Sequence, residues 1–369
     1  MNKAIDVKKD KFGPRTLTTI LILTIVEYEV FTFSKATVAV AKRDAWLAGI
    51  LGAIIGTILV YFLVKLAARF PEKNIFEYLK IVWGRPLGLI FSVLYFLYFF
   101  IFLILLFYET MMANTLLFLP RTPKVIPLLI FGISLIWLIS YGIAPIVRFF
   151  QLILPFMLLP LLLLAVLFIP SIDLSNFRPL LGNGIMPVLK GGFYYLGAFQ
   201  GPEVLLFLAP FIAQIGKAAK PAMLGYAIPS FIAWTNTVAA LGILGVEGIK
   251  ESVMPGINVV TIVQLPGFPT ERFGLLLTLP WLIAIYTTLA IYLYLLSYGF
   301  TQVFRIQNRK PVIYVFTGLA LGLSYLIPDT VWHEHLRNYF SLLTIFTVYI
   351  LPILTLCLAV IRKKGASAK

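Results

Sequence analysis

Apolar runs alternate with short charged or Pro/Gly-marked intervals along this chain and divide it into ten segments. They lie at about residues 16–40, 45–68, 88–119, 125–141, 149–169, 192–213, 221–245, 273–304, 311–327 and 338–361. Each is long enough for a helix that crosses a bilayer. The segment lengths repeat: about 25, 24, 32, 17 and 21 residues for the first five, and about 22, 25, 32, 17 and 24 for the second five. The long third and short fourth therefore recur as the eighth and ninth. At the same junctions Arg121-Thr-Pro-Lys-Val-Ile-Pro127 is echoed by Asn308-Arg-Lys-Pro-Val-Ile-Tyr314. The pattern predicts a five-plus-five repeat, about 16–169 and 192–361, joined by an outer connection at 171–190. Because five is odd, the second copy crosses the membrane in the opposite direction, as in the inverted repeats of secondary transporters. The expected fold is an all-α integral membrane protein, one transmembrane domain over 1–369.

The first segment breaks its own pattern. Glu27, Glu29 and Lys35 lie within an otherwise apolar span. An ionisable group at mid-bilayer costs about 2.5–3.5 kcal/mol, so two glutamates together cost about 5–7 kcal/mol, and something nearby must offset it. Two residues apart on a continuous helix, Glu27 and Glu29 would point about 200° away from each other. An interrupted helix could aim both at one partner, and non-helical backbone at that depth is tolerated only where protein buries it or a cavity meets it. Inverted-repeat transporters place their site where the first helix of each copy is interrupted. In segment 6, Phe199-Gln-Gly-Pro-Glu203 supplies that interruption: Gly201 permits a break, Pro202 removes a donor, and Glu203 follows in the first turn of a second half-helix. A simple packing kink at Gly201-Pro202 is the alternative.

Composition agrees with the spans: 60% of the 369 residues are hydrophobic and 12% are charged, against about 45–50% and 25% in soluble domains. The net charge of +15 comes from basic residues scattered between apolar runs, which argues for membrane topology signals and against nucleic acid. With both ends on one side, 20 basic residues fall on the side of the termini and 9 on the other, Arg337 among the latter; the positive-inside rule makes both termini cytoplasmic. Ala39-Val40-Ala41 resembles a cleavage site, but the preceding run is too long and too acidic for a signal peptide, and it is read as a retained first span. The single cysteine, Cys357, has no internal partner. His333 and His335 are read as a solvated pair at a helix start, so no metal site and no cofactor are expected.

Further candidates for a ligand site line the remaining segments. Tyr108 and Glu109 end segment 3 after the aromatic run Tyr95–Phe100, read as packing or lipid-facing; Glu109 either joins the site or reaches water at the outer end. Tyr286, Thr287 and Thr288 sit mid-way along segment 8, where they line the site or bond their own helix. Trp234-Thr-Asn236 in segment 7 reads as interhelical glue. The sign of the charges predicts one acidic centre, Glu27 or Glu29 with Glu203 and Glu109, holding a protonated amine or a proton. In the competing reading Lys35, roughly 9 Å along the axis from Glu29, neutralises one glutamate.

Taken in order, Asp44-Ala-Trp46, Glu77-Tyr78, Trp83-Gly84, Leu119-Pro-Arg-Thr-Pro123, Gly142-Ile143 with Arg148, Asp173-Leu-Ser-Asn176, Arg178-Pro-Leu-Leu-Gly-Asn-Gly184, Pro187-Val-Leu-Lys-Gly191, and Trp281 with Tyr292-Leu-Tyr294 resemble the B-subunit family of spore germination receptors. That family sits within the amino acid/polyamine/organocation transporter superfamily. The resemblance implies a LeuT-like ten-helix fold with helices 1 and 6 interrupted and a ligand site between segments 1, 3, 6 and 8. The candidate ligand-binding residues of this chain in those segments are Glu27, Tyr28, Glu29, Tyr108, Glu109, Phe199, Gln200, Gly201, Glu203, Tyr286 and Thr287. It also implies an A-type membrane subunit and a C-type lipoprotein as partners, a location in the spore inner membrane, and an amino acid, sugar or nucleoside as germinant. The chain departs from the family at segment 1, where Glu27-Tyr28-Glu29 replaces a Gly-x-Gly pattern and puts two carboxylates in place of exposed amides. Segment 8 departs too, with Thr288 where some relatives carry lysine. Two functions follow as expectations: a transporter-like receptor subunit binding an amino acid or amine, or a free-standing secondary transporter of amino acids or amines. An intramembrane enzyme would need a nucleophile–base pair or metal motif within the spans, and none is found there.

Overall fold

The computed structural model describes residues 11–27, 29–115, 119–262 and 273–365. Among these the chain is helical, apart from loops and a single parallel bridge between Phe12 and Ile212. The first span is split into α1 (Thr16–Ile25) and α2 (Glu29–Ala41). Span 2 is α3 (Ala45–Arg69), and a capped loop helix, α4 (Ile75–Trp83), precedes span 3, α5 (Arg85–Ala113). Spans 4 and 5 are α6 (Val125–Ser140) and α7 (Ile143–Leu167). The sixth span is split into α8 (Met186–Ala198) and α9 (Val204–Leu208); α10 (Ala219–Glu251) is span 7. After the short, largely buried helix α11 (Pro255–Ile262) come α12 (Phe273–Val303) and α13 (Arg309–Tyr325), spans 8 and 9. Span 10 is α14 (Thr330–Thr344), a π-helical turn at Ile345–Ile350 and α15 (Leu351–Ile361). Among the described residues six helical stretches are long and apolar enough to cross a membrane; Thr16–Ile25 and Val125–Ser140 are shorter apolar helices.

Local chemistry sets several boundaries. Asn74 and Glu77 form a reciprocal capping box that starts α4, and Asp329 accepts the Trp332 N–H at 2.9 Å to start α14. The length repeat is visible in the helices themselves: α5 and α12 have 29 and 31 residues, α6 and α13 have 16 and 17. Several ends shift from expectation, and span 10 begins at Thr330 rather than 338. Span 5 begins at Ile143 rather than 149, following the positive φ of Gly142, and span 6 begins at Met186 rather than 192, because Pro187 is accommodated in the first turn of α8. The connection before α8 carries a short 3₁₀ turn at Leu174–Phe177. The connection between spans 7 and 8, whose Met254-Pro-Gly-Ile-Asn258 and Gln264-Leu-Pro-Gly-Phe-Pro269 stretches read in sequence as an outer lid, lies outside the described residues from 263 to 272.

The helices pack in two groups. α1, α2, α3, α8 and α10 pack on one another, while α5, α6, α7, α12 and α13 form the second group, and α1 meets α12 and α7 where the groups face. Trp234 ties α10 to α3 through its indole N–H and the Trp46 carbonyl at 3.1 Å, the interhelical role expected of it. Both helix breaks, in spans 1 and 6, lie at the seam.

Candidate ligand site at the two helix breaks

At the first break α1 stops at Ile25, and Val26 turns out of helical conformation with φ −74° and ψ 86°. The carbonyls left behind are met from α12: Thr287 donates to Leu23 O at 2.8 Å, Thr288 to Thr24 O at 3.1 Å, and Trp281 Nε1 to Glu27 O at 3.1 Å. An unmet carbonyl at membrane depth would cost several kcal/mol, so α12 is what makes the break tenable. At the second break Phe199 leaves the helix, Gly201 adopts φ +122°, and α9 follows. Tyr349 donates to Phe199 O at 3.2 Å, and Gln200 donates through Nε2 to Gly197 O at 2.8 Å and Thr344 Oγ1 at 3.2 Å. A Cβ on Gly201 would stand 2.6 Å from Ile25 Cγ1, so the two breaks touch.

The predicted acidic residues are buried, but they separate into two places. Glu27 and Glu109, both fully buried, converge on Arg337 of α14: its Nη2 lies 3.2 Å from Glu27 Oε2 and its Nε donates to Glu109 Oε1 at 2.8 Å. His333 Nε2 is 2.9 Å from the same Glu109 oxygen, and its ring stacks on Tyr108 at 4.8 Å. One guanidinium thus serves two carboxylates in a desolvated cluster, the arrangement that lets buried charge persist. Glu203 lies elsewhere. Its Oε1 accepts from the Tyr98 hydroxyl at 3.0 Å and from the Tyr292 hydroxyl, and its Oε2 accepts the Gly201 N–H at 2.9 Å. Between the two sites lies an aromatic layer in which Phe340 stacks on Tyr98 and Phe102 at 5.0 and 5.3 Å; the Arg337 guanidinium lies over Phe102 at 5.5 Å. Tyr98 and Glu109 are eleven residues apart on α5, about 16 Å along its axis.

Several expectations are corrected by this geometry. There is no single acidic centre, since Glu203 is held by tyrosines a layer away from Glu27 and Glu109. Arg337 is a buried partner within span 10 and leaves the outer loop count; His333 is buried, and only His335 of that pair is exposed. Glu109 does not reach water. Lys35 bonds Glu334 of α14 at 2.5 Å. Tyr286 packs on Phe131 and Phe149, away from both breaks. Thr287 serves the first break, as Gln200 and Phe199 serve the second. Tyr28 lies outside the described residues, as does the side chain of Glu29.

Sequence reasoning did not single out Arg337, His333, Tyr98, Tyr292 or Trp281 as parts of the site. One signal was available: His333 and Arg337 are four residues apart, on one face of a helix that begins at an Asp cap. Among the described residues no three or more His, Cys, Asp or Glu side chains are grouped to hold a metal ion.

Solved structures similar to this chain share its fold. Mhp1, a nucleobase-cation-symport-1 family transporter in a closed conformation with bromovinylhydantoin bound, superposes with a TM-score of 0.71 at 18% identity, covering 95% of this chain and 79% of that one. MhsT in complex with L-phenylalanine also gives 0.71, at 14% identity, covering 95% and 89%. The architecture is therefore that of LeuT-fold transporters, with helices 1 and 6 interrupted and two five-helix halves in inverted topology. Spore germination protein YndE of Bacillus subtilis is 27% identical over 361 residues, covering 94% of this chain and 96% of the relative. Spore germination protein KB of the same organism is 27% identical over 335 residues, covering 88% and 89%. The sequence model for the family described as spore germination protein matches residues 11–331. This multi-pass, LeuT-fold membrane protein belongs to the spore germination protein (spore permease) family.

Proposed function

We propose that the chain is the transporter-like B-subunit of a spore germinant receptor and binds a small amino acid or amine at the seam between the two helix breaks. The observation that carries this reading is the convergence of Glu27 and Glu109 on Arg337 beside the interrupted backbone of span 1. Two buried carboxylates meet there beside the broken backbone, and carboxylates at membrane depth suit a ligand ammonium. Tyr108, Thr287, Phe199 and Gln200 border the same seam. We assign the repeats to about 16–169 and 192–361, the outer connection to 171–190, the membrane to the spore inner membrane, and the partners to an A-type membrane subunit and a C-type lipoprotein.

Titration calorimetry on the purified chain tests the ligand reading. Amines and cationic amino acids are expected to bind better than acidic ones, and Glu27→Gln and Glu109→Gln to weaken binding by about tenfold or more, the loss of one charge-assisted contact. Unchanged ligand preference in both variants overturns it. Coding sequences for A- and C-type subunits beside this one favour the receptor over a free-standing transporter.

A further inference from the structure

We infer that Glu203 is a built-in carboxylate ligand: its side chain fills an anion cradle at the break of span 6 and so excludes ligands that would present their own carboxylate there. Three donors from three separate elements aim at this one group. They are the Tyr98 hydroxyl of α5, the Tyr292 hydroxyl of α12 and the Gly201 N–H of the break itself. Both oxygens of the carboxyl group are met, Oε1 by the two hydroxyls and Oε2 by the amide, so the set matches the shape and acceptor positions of a carboxylate. No Lys, Arg or His forms an ion pair with Glu203 among the described residues, and the negative end is held by neutral donors alone.

The backbone supports the same assignment. Gly201 takes φ +122°, a conformation closed to most side chains, and in it the N–H meets Glu203 Oε2 two residues on. Helix-break amides of this architecture are the groups that meet an anionic part of a substrate. Here that amide and both hydroxyls are already engaged. A free amino acid whose carboxylate sought the span 6 break would have to displace Glu203 from a fully buried position. An amine meeting Glu27 and Glu109, an aromatic layer away, would not. The cradle stands on its own geometry; only this consequence, amines over amino acids, rests on the proposed function.

Chemical rescue of the purified full chain tests the cradle without any germinant. Glu203→Ala removes a group of the size of acetate. Its melting temperature is expected to fall, and sodium acetate to restore at least about 2 °C of it, a shift well outside scatter for a protein of this size. Sodium chloride and acetamide at the same concentration should restore nothing, wild type should not respond to acetate, and adding Tyr98→Phe to Glu203→Ala should abolish the rescue. Equal effects of acetate, chloride and acetamide on Glu203→Ala overturn the cradle. If that variant does not fold, Tyr98→Phe and Tyr292→Phe in the otherwise unchanged chain decide: each removes one donor from Glu203, so melting temperatures equal to wild type in both overturn the proposal. Acetate rescue without amine binding to wild type would retain the cradle and remove the amine reading; amine binding without rescue would do the reverse.

Discussion

Arg337 is the side chain on which the buried charge of this molecule balances. Its guanidinium bonds Glu109 through Nε at 2.8 Å and reaches Glu27 through Nη2 at 3.2 Å, while its flat face lies over Phe102. Removing one partner of a buried ion cluster leaves the others desolvated and poorly compensated, which costs about 3–5 kcal/mol. Arg337→Met is therefore expected to lower the melting temperature sharply. Arg337→Lys should fall between, because it keeps the charge but loses the fork that serves two carboxylates. Glu109→Gln should make Arg337→Met less harmful, with a coupling of at least about 1 kcal/mol in a double-mutant cycle. Additive effects would mean that the two groups do not sense each other. Glu27 and Glu109 were legible in the sequence because a carboxylate stands out in an apolar run. Arg337 and His333 were not, because His333-Glu-His-Leu-Arg337 is polar enough to read as the flank of a loop. Its helical face becomes visible only once Asp329 is known to cap α14.

At the scale of elements, both interruptions were legible from their own chemistry. In span 6 the sequence Gly201-Pro202 states the break outright. In span 1 the two glutamates imply one, and helix stops at Ile25 and resumes at Glu29. What sequence could not supply was how each break is satisfied, since Thr287, Thr288, Trp281 and Tyr349 are more than 140 residues away from the carbonyls they serve. The expected role of a half-helix dipole at Glu203 also gives way, because α9 is only five residues long and the tyrosine hydroxyls do the holding. The contact between the breaks gives a test at this scale. Gly201→Ala places a Cβ at φ +122° and 2.6 Å from Ile25 Cγ1. Strain of that kind costs on the order of 1–3 kcal/mol, and it is expected to disturb span 1 as well as span 6. Tryptophan fluorescence from Trp281, which bonds Glu27 O, should report the disturbance in a single-tryptophan background. An unchanged melting temperature together with an unchanged Trp281 spectrum would count against coupling of the two breaks.

For the whole molecule, the fold fixes which surfaces share an end, and the distribution of basic residues gives an expectation, to be tested, of which end faces the cytoplasm. Arg69 donates to Lys364 O at 2.5 Å and Arg362 to Val82 O at 2.8 Å, so the carboxyl-terminal stretch packs on the loop after span 2. Phe12 pairs with Phe211 and Ala213 at the end of span 6, at 2.8 Å in both directions. At the opposite end Arg43 donates to Arg178 O, and Asp44 accepts the Leu181 N–H at 2.9 Å, tying the turn after α2 to the 171–190 connection. With Arg337 buried, the balance of basic residues becomes 20 against 8, which strengthens the reading that the termini are cytoplasmic. Two cysteine positions test it, in a Cys357→Ser background that removes the native thiol. Asn183 and Lys364 are both exposed, one at each end. Asn183→Cys is expected to react with an impermeant maleimide added to intact cells, and Lys364→Cys only after permeabilisation. Labelling of Lys364→Cys in intact cells, with Asn183→Cys protected, would invert the molecule in the membrane. The Glu27–Arg337–Glu109 cluster, whose Arg337 lies in the first half of span 10 and whose Glu109 lies near the end of α5, would then sit toward the cytoplasmic face, so the orientation decides whether the proposed site can serve a sensor of external ligand at all.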